Sequence, residues 1–189
     1  NLPNGRPVVL NTDGTVEIVN TTLAQSIPAG AVATFSANGQ TNENIVVFDP
    51  HNANKFVIAY KDYGTSGGRG QAIVGTITGT TLTFGTPVEF GSKASYIDIA
   101  FDPNTAGKFV VIYADTWSVN LPLSIVGTIS GTSITFGTEV AFSTVNGWDQ
   151  NIVFDPSTAG KFVIVYKDAG NSEYGTVKIG TVSGTSITY

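Results

Sequence analysis

The residues best suited to recognition chemistry are aromatic and polar side chains in segments that differ between otherwise similar stretches of the chain. Both tryptophans, Trp117 and Trp148, are among them. Aromatic rings stack on sugars, and Asn, Asp and Arg side chains hydrogen-bond to hydroxyl groups. We predict a carbohydrate- or protein-binding surface formed by Tyr63, Arg69, Tyr96, Trp117, Asn120, Trp148, Asp149 and Tyr174. In the structural alternative, the two tryptophans only close gaps between neighbouring repeats.

Catalytic residues have weaker support in the sequence. A glycosidase needs two carboxylates about 5–10 Å apart, and Asp98, Asp149 and Glu173 are candidates, but none lies in a recognisable motif. His51 is the one histidine, which disfavours a Ser-His-Asp triad or a His-rich metal site. The chain has no Cys, so it has no thiol nucleophile. We therefore predict a non-enzymatic protein with no catalytic residue, metal or cofactor.

Charge and composition narrow the class of partner. Nine Lys and Arg against fourteen Asp and Glu give a net charge of −5, which does not provide a basic field for nucleic acid. No apolar run approaches the roughly 18 residues of a membrane span, so membrane insertion is not expected. Only 12% of the 189 residues are charged, and 22 are Gly, a mixture typical of strands and turns. Because Met is absent, we expect that the translational start has been removed.

A repeat organises the chain. Phe-Asp-Pro occurs at Phe48, Phe101 and Phe154, at intervals of 53 residues, and a set of Lys, Tyr and Asp residues keeps the same interval. We predict three copies at 45–97, 98–150 and 151–189, the last incomplete, and a partial copy at 29–44. Residues 1–28 are predicted to form a β-hairpin at 6–20, with an Asp13-Gly14 turn, and a linker at 20–28.

Each copy reads as four short antiparallel strands joined by tight turns. Asn54 stands where the other copies have Gly107 and Gly160, an exchange typical of a left-handed backbone position. The second strand is apolar on both alternations, which predicts that both of its faces are covered, whereas the fourth alternates with Thr, as a half-exposed strand does. The sequence thus predicts an all-β fold of propeller-like blades, about three and a half in number.

Two sets of recurring aspartates are predicted to form turns and not to act as ligands or catalysts. Asp in an Asp-Pro turn, or directly after a strand, accepts hydrogen bonds from nearby backbone N–H groups. The two sets are Asp49, Asp102 and Asp155, and Asp62, Asp115 and Asp168.

The repeat Phe-Asp-Pro-x-x-Ala-Gly-Lys-Phe-Val-x-x-Tyr-x-Asp, followed by Val-Gly-Thr and Ser-Gly-Thr-Ser-Ile-Thr-Phe, resembles repeats in tail-fibre and other appendage proteins of bacteriophages. The segment from Arg6 to Val16 is also similar to segments that precede such repeats. The resemblance implies a virion or extracellular surface location and no specific ligand. We predict a structural or adhesive role there, with a host-surface glycan or protein receptor bound by the variable loops. A purely architectural fibre module is the alternative, and a propeller glycoside hydrolase is a third. The family offers no catalytic residue.

The two ends of the repeat array predict assembly. The third copy stops soon after its third strand, whereas Ala31–Phe35 matches a fourth strand that lacks its own third strand. Because natural proteins avoid open sheet edges, we expect Ala31–Phe35 to pair with a third-strand edge outside its own chain. Either the chain is part of a longer one that supplies this edge, or two chains close a ring of about seven blades. We expect a homo-oligomer or larger assembly.

Overall fold

The structure is a computed structural model that describes residues 8–18, 32–36, 39–64 and 67–189. Within these ranges the chain forms β-strands and one short 3-10 helix, Ala169–Asn171, but no α-helix. The all-β prediction is therefore confirmed. No helix in the described residues is long and apolar enough to cross a membrane. The chain divides into two compact units, Asn1–Ala31 and Val32–Tyr189.

The first unit contains the predicted hairpin. Strands β1 (Val8–Leu10) and β2 (Val16–Ile18) pair antiparallel, with Val8 opposite Ile18. Between them, the Asn11 N–H donates to the Thr15 carbonyl at 2.8 Å. The hairpin is confirmed, and the predicted linker at 20–28 lies outside the described residues.

Among the described residues, the second unit contains three antiparallel sheets, each a meander of four consecutive strands. The first sheet comprises β3 (Thr41–Phe48), β4 (Lys55–Asp62), β5 (Arg69–Thr78), β6 (Thr81–Phe84) and the short β7 (Val88–Gly91). The second comprises β8 (Ala94–Phe101), β9 (Lys108–Asp115), β10 (Leu121–Ser130), β11 (Ser133–Phe136) and the short β12 (Val140–Ala141). The third comprises β13 (Gly147–Phe154), β14 (Lys161–Asp168), β15 (Tyr174–Ser183) and β16 (Ser186–Thr188). The predicted four-stranded repeat is confirmed.

In the first two sheets the outer strand is interrupted. Strands β6 and β7 pair with successive parts of β5, and β11 and β12 do the same with β10. In the third sheet β16 pairs with Thr181–Ser183 of β15. In the part of the chain that the structure describes, no second outer segment pairs with the earlier half of β15.

Recurring left-handed residues shape the repeat. Asn54, Gly107 and Gly160 have φ of 68°, 67° and 74°, so the predicted left-handed turn position is confirmed. A second recurring position was not predicted: Glu43, Tyr96 and Asp149 have φ of 50°, 55° and 50°, each at a bulge in the first strand of its sheet. These bulges lie in polar stretches without a hydrophobic pattern. The sheets accordingly start at Thr41, Ala94 and Gly147, four residues before the repeat boundaries at 45, 98 and 151.

The sheets stack face to face with apolar cores between them. One core joins the first and second sheets around Val57, Val74, Phe101 and Phe109, and another joins the second and third around Val110, Ile152 and other residues. Strands β4 and β9 are buried on both faces, as predicted for the second strand of each copy. For β14 that prediction is wrong: Val165 is exposed, because no further sheet covers that face among the described residues.

Candidate functional site

The turns whose length is the same in every copy and the loops that differ between copies lie at opposite ends of the sheets. Successive turns of an antiparallel meander alternate between its two ends. At the turn end, Lys55 Nζ donates to the Gly131 carbonyl at 2.7 Å and Lys108 Nζ to the Gly184 carbonyl at 2.8 Å. These bonds tie each sheet to the next. The other end presents the variable loops that contain the predicted binding residues.

Two neighbouring sheets form a cleft at the loop end, which we call the Trp148 cleft. It is lined by Tyr96 of the second sheet and by Trp148, Asp149, Lys167 and Glu173 of the third, and it encloses about 260 Å³. Tyr96 and Asp149 are both bulge residues with positive φ. Because the bulge adds a residue to the strand, it changes which side chains point toward the loop end.

The charges of the Trp148 cleft are partly paired. Lys167 Nζ lies 2.8 Å from Glu173 Oε2 and 5.4 Å from the centroid of the Trp148 ring. The hydrogen bond to Glu173 raises the pKa of Lys167. Asp149 and Glu173 leave one excess negative charge over Lys167, so the cleft favours neutral or basic ligands over acidic ones.

Hydrogen bonds join the second and third sheets next to this cleft. Gln150 Nε2 donates to the Tyr96 carbonyl at 2.7 Å. Asp98 Oδ2 accepts from the Ile152 N–H at 2.9 Å and from Asn151 Nδ2 at 2.6 Å. Burial raises the pKa of the Asp98 carboxyl despite these donors. Asp98, one of the hydrolase candidates, thus connects the second sheet to the third.

A second cleft, the Trp117 cleft, lies between the first and second sheets. Arg69, Ser92, Lys93 and Trp117 line its approximately 300 Å³. Arg69 forms an ion pair of 2.6 Å with Glu89, and Lys93 Nζ lies 5.9 Å from the Trp117 ring centroid. Trp117 is 79% exposed. Two cationic side chains thus line this cleft, whereas one, Lys167, lines the Trp148 cleft.

The structure divides the eight predicted binding residues into three groups. Tyr96, Trp148 and Asp149 line one cleft, and Arg69 and Trp117 line the other. Neither cleft is lined by the remaining three, Tyr63, Asn120 and Tyr174. Sequence reasoning did not select Lys167 for this surface, where the structure places it directly opposite Trp148 in the β13–β14 register.

The turn-forming assignment of the recurring aspartates is confirmed. After the second strand, Asp62, Asp115 and Asp168 each accept a hydrogen bond from the N–H two residues later, at 2.8, 2.9 and 2.9 Å. In the Asp-Pro turns the corresponding distances from Asp49, Asp102 and Asp155 are 2.8, 2.9 and 2.8 Å. No group of three or more His, Cys, Asp or Glu residues in the described ranges is arranged to hold a metal ion.

A further depression of about 420 Å³ lies on the third sheet beside Phe142, Tyr166 and Asp168. Its one cation is Lys178, whose Nζ donates to the Phe142 carbonyl at 2.8 Å and lies 5.4 Å from the Tyr189 ring centroid. That lysine therefore has a structural role, and the depression offers less for recognition than the aromatic clefts.

Comparison with known proteins identifies no relative: no family model, no curated protein and no solved structure matches the chain.

Proposed function

We propose that the chain is a non-enzymatic recognition module that binds neutral glycans in the Trp148 cleft. The observation that carries the proposal is that two aromatic residues from neighbouring sheets, Tyr96 and Trp148, line one cleft together with the carboxylates of Asp149 and Glu173. Aromatic rings pack on the C–H faces of a sugar, and carboxylates accept hydrogen bonds from its hydroxyl groups. The excess negative charge disfavours sialic and uronic acids.

We infer further that the three sheets are blades of a β-propeller. Each is a four-stranded meander, and corresponding faces of successive sheets pack in the same order, as propeller blades do. In this interpretation the loop end is one rim of the propeller, and the clefts lie between adjacent blades. Ligand pockets occur preferentially at interfaces between structural units.

The repeat supports a structural and adhesive role at a virion or extracellular surface, as in the phage appendage proteins whose repeats it resembles. Its recurring residues are scaffold residues in tight turns and apolar strands, whereas the loops differ from one copy to the next. A constant scaffold with variable loops suits attachment to surface partners.

Glycan-array screening followed by calorimetry with the selected neutral oligosaccharide tests the proposal. We expect Trp148→Ala and Tyr96→Ala each to weaken binding about tenfold or more, which corresponds to about 1.4 kcal/mol. Tyr63→Ala is the matched control, because Tyr63 also lies near a lysine, 5.2 Å from Lys61 Nζ, but outside both clefts. The proposal fails if no neutral glycan binds, or if both cleft variants bind as the wild type does.

An architectural module without a glycan ligand is the second candidate. It is favoured by the exposed apolar residues on the outward side of the third sheet, including Val177 and Ile179. Such a module shows no binding on the array but forms regular assemblies visible by electron microscopy.

A further inference from the structure

The outward face of the third sheet is apolar and exposed. It carries Val153, Val165, Val177 and Ile179, of which Val177 is 64% and Ile179 60% exposed. The residues at the same repeat positions are Ala72 and Val74 in the first sheet, and Ser124 and Val126 in the second, and all four are fully buried by the sheet that follows. The outward face of the third sheet thus has the character of an inter-sheet contact surface.

The first sheet has a complementary exposed face at the other end of the stack. There Val46 is 59% and Phe48 61% exposed. Their counterparts in the second sheet, Ile99 and Phe101, are buried in the core shared with the first sheet. The two ends of the stack therefore expose the two halves of one recurring contact.

The segment at 32–36 provides an independent indication of a missing neighbour. The ring of Phe35 lies 5.1 Å from Tyr60 and 6.3 Å from Phe84 between centroids. In the next two sheets Phe90 and Phe142 occupy the same position, and each directly follows or belongs to the short outer segment of the preceding sheet. Residues 32–35 thus correspond to a short outer segment whose sheet is absent from the described residues.

A recurring lysine contact is also incomplete at the third sheet. Lys55 and Lys108 each donate to a glycine carbonyl in the three-to-four turn of the following sheet. Lys161 stands at the same repeat position. In the described residues no hydrogen bond to a following turn is present for Lys161.

We propose that a second copy of this chain docks on the outward face of the third sheet. The first sheet of that copy covers Val153, Val165, Val177 and Ile179 as the third sheet covers the second. Residues 32–35 of the copy pair with the open edge of β15 around Thr176, and its Gly79 carbonyl accepts from Lys161. The proposal does not depend on glycan binding.

Reciprocal docking closes a ring. Each copy contributes three complete sheets, because residues 32–35 of one copy complete the third sheet of the other. Two copies then make six blades, within the range of about four to eight found in propellers. The ring of about seven blades expected from the sequence counted the partial copy at 29–44 as an additional half blade in each chain.

Sedimentation equilibrium of the 189-residue chain with charge variants tests this contact. We expect the wild type to sediment at about 39 kDa, twice the mass of the 19.7 kDa chain. Val177→Lys/Ile179→Lys alone, and Val46→Glu/Phe48→Glu alone, each place charge in both contacts of the ring and should sediment as monomers. These side chains are exposed in the single chain, so both variants should fold, which circular dichroism verifies.

A mixture of the two variants tests whether the two faces contact each other. In a mixed pair one contact joins lysines to glutamates and the other joins two unaltered faces, so the species of about 39 kDa should return. Val119→Lys, in an exposed loop outside both faces, is the matched control and should not dissociate. A monomeric wild type, variants that remain associated, or a mixture that stays monomeric would overturn the proposal. A larger species that dissociates with the same variants supports the contact but rejects the two-copy ring.

Discussion

Phe35 packs edge-on against Tyr60, with ring centroids 5.1 Å apart, and this contact recurs twice in the molecule. Phe90 lies 5.2 Å from Tyr113, and Phe142 lies 5.2 Å from Tyr166. In every case the phenylalanine comes from the segment before the sheet that it covers. The tyrosine in the second strand of each sheet is therefore covered by a phenylalanine from the segment that precedes that sheet. This aromatic pair links successive repeats.

The first prediction concerns the energy of that link. Phe142 is fully buried, and Phe142→Ala should lower the free energy of unfolding by about 3–5 kcal/mol, because it removes apolar contacts and leaves a cavity. Phe35 is only partly buried, so Phe35→Ala should cost less, about 1–2 kcal/mol. Urea titration measures both values.

Val119→Ala is the control for these substitutions, since Val119 is exposed in a loop outside both docking faces. It should change stability less than Phe35→Ala. Equal losses of unfolding free energy for the three variants would mean that the Phe–Tyr contact does not contribute to stability.

The second prediction tests a glycine required by close packing. A Cβ at Gly127 would overlap Cζ of the buried Phe109 ring, and the same conflict exists between Gly180 and Phe162. Gly127→Ala should therefore displace the ring and cost about 1–3 kcal/mol through overpacking. Thermal unfolding by circular dichroism measures the loss.

Phe109→Leu in the Gly127→Ala background checks the cause. A smaller side chain opposite the new methyl group should restore part of the lost stability, so the double variant should be more stable than the sum of the single effects predicts. Purely additive losses would contradict the steric explanation.

The repeat was predictable from sequence because its scaffold residues are determined locally. Asp-Pro turns, the left-handed position at Asn54, and the alternation of strand four each leave a pattern within a few residues. The bulges at Glu43, Tyr96 and Asp149 leave none, because polar residues occupy them and positive φ is not restricted to glycine there. As a result, the starts of the sheets were not located from sequence.

The clefts were predictable only in part. Aromatic residues in variable loops identified Trp117 and Trp148, but the grouping of Tyr96 with Trp148 depends on how the second and third sheets pack. Residues that share a cleft across two sheets are separated by a whole repeat, so no local spacing relates them. Lys167 was missed because a strand lysine ordinarily indicates only a solvent-exposed position.

The third prediction separates two aspartates in equivalent turns. Asp102 is buried, and its Oδ2 accepts from the N–H of Gly160 in the third sheet at 2.9 Å. Asp102→Ala leaves that buried N–H unpaired, which should cost about 1–3 kcal/mol beyond the loss of the turn. Asp155→Ala removes the same turn bond, to Ser157, but within the described residues the Asp155 carboxylate bonds to no other sheet. This variant should therefore cost less in the same urea titration. Equal effects would show that the inter-sheet bond contributes nothing.

The last prediction is an alkaline transition controlled by buried tyrosines. Burial, assisted by Asp62, raises the pKa of Tyr60 to about 12, and burial also raises the pKa of Tyr113, Tyr166 and Tyr189. In the unfolded chain a tyrosine ionises near 10.0. The folded state thus holds these protons more tightly, so the stability they confer is complete below pH 10 and is lost as the pH rises toward 12.

Tyrosinate absorbance from these residues should appear together with loss of the β-sheet circular dichroism signal. Tyr60→Phe, which removes one such group, should make the fall in unfolding free energy over this range less steep. Ionisation of all seven tyrosines while the circular dichroism spectrum stays native would contradict the prediction.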